Sequence, residues 1–112
     1  MVAPWQQLTS INQIDRIIDD SNNKTIAIFK HSTRCGVSSH AMHKLEDSWQ
    51  FDEKQLDFYY LDLLTYRNIS NEIADRFRVI HQSPQLIIIK NGKAVYNISH
   101  QGVSNEIIEK FI

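Results

Sequence analysis

Thr25 to Ser39 reads TIAIFKHSTRCGVSS. Thr25 to Lys30 is short, β-branched and apolar, the composition of a buried strand in a parallel sheet. The polar half that follows carries Cys35, the one cysteine of the chain, three residues ahead of Ser38. Beyond it Ala41, Met42, Leu45 and Trp49 recur at helical spacing, with Lys44, Glu46 and Asp47 on the other side. A strand, a turn and a helix start around Cys-x-x-Cys mark a redox-active dithiol; here Ser38 stands in the second cysteine's place. One thiol can attack a disulfide or be capped by a small thiol, but it cannot close an internal disulfide. A second molecule must finish any redox cycle.

On the N-terminal side, Ser10 is expected to cap a first helix, with Gln13 completing a capping box. Ile11, Ile14, Ile17 and Ile18 fall on one face of that helix, and Ser21 to Asn23 end it. On the C-terminal side, Asp57 to Leu63 (DFYYLDL) reads as the next strand. Ile69, Ile73, Ala74 and Phe77 mark another helix, with Asn68 or Ser70 as its cap. Ser83-Pro84 precedes the apolar run Leu86 to Ile89, which Asn91-Gly92 joins to Ala94 to Ile98; Asn-Gly between two such runs is the strongest short hairpin signal. Ser104 opens a last helix carrying Ile107, Ile108 and Phe111.

The expected order is α-β-α-β-α-β-β-α. Strands that alternate with helices pair in parallel through right-handed crossovers, and the last two form an antiparallel hairpin. This is an α/β, thioredoxin-like topology with one extra helix at the front: a mixed central sheet flanked by helices, in a single domain over residues 1–112.

A chain of 112 residues with 42% hydrophobic content suffices for one core. A net charge of −1 offers no field for nucleic acid or an anionic membrane. No apolar stretch reaches the ~18 residues of a membrane span. Residues 1–10 (MVAPWQQLTS) have neither a basic start nor an apolar h-region, so no secretory signal is expected. A lone cysteine also argues against a disulfide-stapled secreted domain, and a cytoplasmic location is expected.

Cys35 falls where a strand turns into a helix. The helix start offers unpaired N–H groups and partial positive charge, which favour the reactive thiolate. Lys30 and Arg34 are close in sequence and could add positive charge. Ser38, near the third helical position, could donate its hydroxyl to the Cys35 sulfur or simply support the helix start. Pro84 occupies the place where a thioredoxin fold sets a cis-proline beside the active-site turn, leaving the Ser83 backbone to pair with an extended substrate. His31 could orient the turn, tune the thiol or bond the loop. His40 and His43 have metal-ligand spacing, but no cysteine or carboxylate completes a four-ligand set, so no metal is expected. Trp5 and Trp49 are expected to be packing residues.

FKHSTRCGVSS resembles the monothiol bacilliredoxins, the YtxJ-like proteins of the bacillithiol system, through Phe29, Lys30, His31, Ser32, Thr33, Cys35 and Ser38. Ser83-Pro84, Asn91-Gly92 and the terminal helix extend the likeness over nearly the whole chain. The resemblance implies an oxidoreductase that removes bacillithiol from mixed disulfides on client proteins, with bacillithiol as co-substrate and no tightly bound cofactor. It implies Cys35 as the nucleophile and Pro84 as the cis-proline; from the residues themselves, Ser83, Arg34, Lys30 and His31 are expected on the substrate side beside Pro84. Lys30 and Arg34 could attract the carboxylates of bacillithiol's malate group or be plain solvated surface charge. Where the family often reads Thr-Cys-Pro-Ile-Ser, this chain has Arg34-Cys35-Gly36-Val37-Ser38, and Gly36 loosens a turn that proline would preset. That glycine also makes the motif resemble the Cys-Gly-Phe-Ser of monothiol glutaredoxins, which bind glutathione and can carry an iron–sulfur cluster. Against that alternative, the chain lacks a Thr-Val-Pro before the later strand and the Gly-Gly plus acidic motif. A non-catalytic thioredoxin-fold binding module is the third reading.

Overall fold

The structure, a computed structural model, describes residues 4–112; residues 1–3, counted above in the domain and in the N-terminal segment, lie outside the described residues. In chain order it forms β1 (Gln6–Gln7), α1 (Asn12–Asp20), β2 (Thr25–His31), α2 (Gly36–Asp47), β3 (Leu56–Asp62), α3 (Arg67–Phe77), β4 (Gln85–Lys90), β5 (Lys93–Ser99) and α4 (Asn105–Glu109). The strands lie in the order β1-β3-β2-β4-β5. β3 is parallel to both β1 and β2, whereas β4 runs antiparallel to β2 and β5. The first helix is therefore preceded by a strand, which the sequence pattern did not reveal: two exposed glutamines carry no alternation.

Successive strand side chains point to opposite faces, and this sorts β2 between two cores. Ile26 and Ile28 pack with Ile14, Ile17, Ile69, Ile73 and Phe77 of α1 and α3. Ala27 and Phe29 pack with Ala41, Leu45 and Ile108 of α2 and α4. All seven β2 residues are buried; each large apolar side chain so enclosed contributes about 1.5–3 kcal/mol. Trp5 is buried and stacks on Phe58 at 4.6 Å between ring centroids. Trp49 lies beyond the end of α2 and packs edge-on to Phe58, so both tryptophans are packing residues.

Two expected caps differ. The first residue flanking α1 is Ile11, and no side chain caps it. Gln13 still reaches back, its Oε1 accepting the N–H groups of Thr9 and Ser10, so half of the capping box forms without the serine hydroxyl. α3 starts after Tyr66, which places Asn68 and Ser70 inside the helix. The hairpin turn carries Asn91 at φ 51° and Gly92 at φ 76°, the left-handed pair that a tight primed turn demands and that Asn-Gly tolerates best.

Candidate functional site

The C-terminal ends of β2 and β3 and the N-terminal end of β4 meet at one end of the sheet, because β4 runs against the other two. Three connections converge there: the turn 32–35, the start of α3 and the loop 78–84. Cys35 is the residue flanking α2, with φ −109° and ψ 121°, and it is partly exposed. It therefore stands at the opening of a twelve-residue helix, as its sequence context implied. Arg34 and Val37 beside it are exposed. The Ser83–Pro84 peptide is cis.

Ser38 sits at the third helical position, and its side chain is fully buried. Its hydroxyl does not serve the Cys35 sulfur. It accepts the Ser32 N–H at 3.0 Å and pairs with His31 Nδ1 at 2.7 Å. Both bonds close the loop from the end of β2 to the first turn of α2, so Ser38 pins the turn that carries the cysteine. His31 is equally buried, faces the α2 side, and stacks on Phe29 with centroids 5.8 Å apart. Burial pushes its pKa below the ordinary 6.5, with the nearby Asp62 carboxylate opposing the shift.

Lys30 departs from expectation. It precedes His31 and so points to the opposite face, where it is completely buried. Its ammonium donates to the Ser70 carbonyl of α3 at 3.1 Å and lies 3.3 Å from His81 Nδ1. A surface contact between Lys30 and substrate carboxylates is therefore ruled out in this conformation. Burial, aided by the positive Arg67, lowers the Lys30 pKa to about 8. Burial, Lys30 and Arg67 also push His81 down. Gln85, fully buried beside Lys30 across the β2–β4 pair, donates from Nε2 to the Ile80 carbonyl at 3.0 Å. Lys30 and Gln85 thus hold both parts of the loop that leads into Pro84. Sequence reading missed Ser70, His81 and Gln85; the signal was a lysine in an otherwise apolar strand, which needs polar partners wherever it is buried.

Ser83 lies just beyond Gln85↔Lys30, the last β2–β4 pair, so the sheet ladder does not engage its backbone. Exposed apolar side chains rim the same end: Val37, Leu64 and, at 83% exposure, Ile80.

A single partly exposed cysteine at a helix start and a cis-proline ahead of β4, on a βαβ-plus-hairpin sheet, define a thioredoxin-fold thiol–disulfide oxidoreductase. The family model for the monothiol bacilliredoxin BrxC matches residues 6–108. The chain belongs to the monothiol bacilliredoxin family. A solved structure described as an oxidoreductase with a thioredoxin fold is 30% identical, with a TM-score of 0.79 over 94% of this chain and 90% of that one. Reduced thioredoxin of Schistosoma mansoni (23% identity, 98% of this chain and 100% of that one, TM-score 0.72) has the same fold. So does oxidised thioredoxin of Plasmodium falciparum (20% identity, 96% and 97% coverage, TM-score 0.72).

Proposed function

We propose that this monothiol bacilliredoxin removes bacillithiol from mixed disulfides on client proteins, with Cys35 as the nucleophile. The observation that carries the reading is the placement of the chain's one cysteine, partly exposed, at the α2 start. The Cys35 thiolate attacks the bacillithiol sulfur of the client disulfide. That S–S bond breaks as a new one forms between Cys35 and bacillithiol, and the client leaves as a thiolate that takes a proton from water. Ser38 cannot resolve the adduct, so a second low-molecular-weight thiol or a dedicated reductase must attack it and release Cys35. The Ser83 backbone is available to pair with an extended client segment by strand addition, and Val37, Leu64 and Ile80 offer it apolar contacts. Arg34 supplies exposed positive charge next to the sulfur. A reducing cytoplasm suits this chemistry, since the resting thiol must stay free.

The test uses reduced protein and one client loaded separately with bacillithiol and with glutathione. Intact mass spectrometry should show a single bacillithiol adduct, mapped to Cys35, and faster transfer from the bacillithiolated client. Preference for the glutathionylated client, or an adduct elsewhere, would overturn the reading.

A further inference from the structure

Lys30 is a fully buried cation, and two of its three N–H groups are matched by the Ser70 carbonyl and His81 Nδ1. No ion pair among the described residues involves Lys30, Arg67 or His81; the pairs present are Lys24–Asp57 and Arg76 with Asp15 and Glu72. Asp62, at the end of β3, pairs in register with His31 and acts on that histidine, on the other face of the sheet. A buried ammonium without a counter-charge costs several kcal/mol, which folds ordinarily avoid by pairing it. Here a neighbouring side chain increases the cost: Arg67, the first residue of α3, adds to the positive side, and Lys30 and Arg67 together disfavour a charged His81.

The hydrogen bond fixes what His81 presents. With Nδ1 accepting from the Lys30 ammonium, the imidazole is neutral and carries its proton on Nε2. The Ser70 hydroxyl, 3.3 Å from the same Nδ1, holds the ring from a second side. His81 is half-buried and Arg67 exposed. Both belong to the connections that meet at the Cys35 end of the sheet, three residues before Pro84 in the case of His81.

We propose that Arg67 and His81, backed by the buried charge of Lys30, form an anion subsite that receives a carboxylate of bacillithiol's malate group while its sulfur lies at Cys35. Arg67 makes a charge-assisted contact, the His81 N–H donates a second, and Lys30 holds the tautomer and supplies charge from behind. The assignment rests on the bacilliredoxin reading above and replaces the direct Lys30 contact expected from sequence.

The probe is L-malate, titrated into ¹⁵N-labelled protein. Amides of Arg67 to Ser70 and His81 to Ser83 should shift saturably, and the dimethyl ester of malate should leave them unmoved. Arg67→Gln and Lys30→Met should each weaken malate binding about tenfold, the scale of one lost charged contact; Arg76→Gln, a surface arginine paired elsewhere, should not. The source of the carboxylate is separated by kinetics on one client carrying either bacillithiol or 2-mercaptoethanol. Arg67→Gln should lower the ratio of kcat/KM between the two about tenfold, through KM. Equal losses on both disulfides would assign the anion to the client and overturn the proposal, as would malate that moves no amide in these segments. A wild type that binds malate yet refuses bacillithiol would strike the bacilliredoxin reading and leave the anion site standing.

Discussion

Lys30→Met should make the protein more stable at neutral pH. The pKa of Lys30 falls from 10.5 to about 8, and at about 1.36 kcal/mol per unit the fold forfeits about 3 kcal/mol by keeping that amine charged. Methionine has a similar unbranched length and no charge, so it removes this cost. It also removes the donor to the Ser70 carbonyl and to His81, a loss of about 1 kcal/mol each at most, since the half-buried imidazole can turn to water. The net expectation is a gain of about 1–2 kcal/mol, or roughly 5 °C in Tm for a domain of this size. The pH dependence carries the sharper signature. Between about 8 and 10.5 the unfolded chain still holds the proton that the folded chain has released, so wild-type stability rises with pH across that window. Urea unfolding of both proteins at pH 7 and pH 10 should show the variant's advantage shrinking. Tyr59 and Tyr60 have raised pKa values and act in the opposite sense above pH 10, but they are common to both proteins and cancel in the difference. A variant less stable than wild type at pH 7, with a gap that does not change up to pH 10, would refute the reasoning.

Cys35→Ser should abolish transfer from a bacillithiolated client, because a serine hydroxyl is not ionised enough at neutral pH to replace a thiolate; intact mass of the variant after incubation should show no adduct. Ser38→Ala leaves the Ser32 N–H and His31 Nδ1 without their present partner, at a cost of about 2–3 kcal/mol, which thermal unfolding should report as a fall of about 10 °C; a change under 2 °C would remove Ser38 as the pin of the turn. His31 and His81 both have lowered pKa values, so below 6.5 the unfolded chain takes up protons first and stability falls with decreasing pH. Denaturation followed from pH 7.5 to pH 5 should show that decline, and His31→Gln should flatten part of it.

Strand β2, the helix after the cysteine and the Asn-Gly hairpin were readable because each has a local cause: apolar composition, a 3.6-residue stripe, a turn that few residue pairs satisfy. β1 was not, since a two-residue edge strand exists through pairing with Tyr59 and Tyr60 rather than through its own pattern. The caps failed for a related reason: Ser10, Asn68 and Ser70 have the right chemistry, but the tertiary position of each helix start decided which residue flanks it.

At the site the same distinction divides Cys35 from Lys30. Cys35 and Pro84 are placed by chain order alone, one after β2 and one before β4. Lys30 departs from the expected surface position because closeness in sequence to Cys35 is not closeness in space: the period-two alternation of a strand puts it with Ile26 and Ile28, opposite Phe29 and His31. That alternation also explains why one short segment can support two separate devices. On the α2 face His31 and Ser38 close the turn that presents the sulfur, and with its hydroxyl engaged there Ser38 is a structural pin where a dithiol enzyme would have a resolving cysteine. On the α3 face Lys30 organises His81 and the loop into Pro84. The turn that carries Cys35 and the loop into Pro84 are thus held by adjacent residues of one strand, so a substitution at position 30 should act on the loop and one at position 31 on the cysteine turn, with little coupling between them.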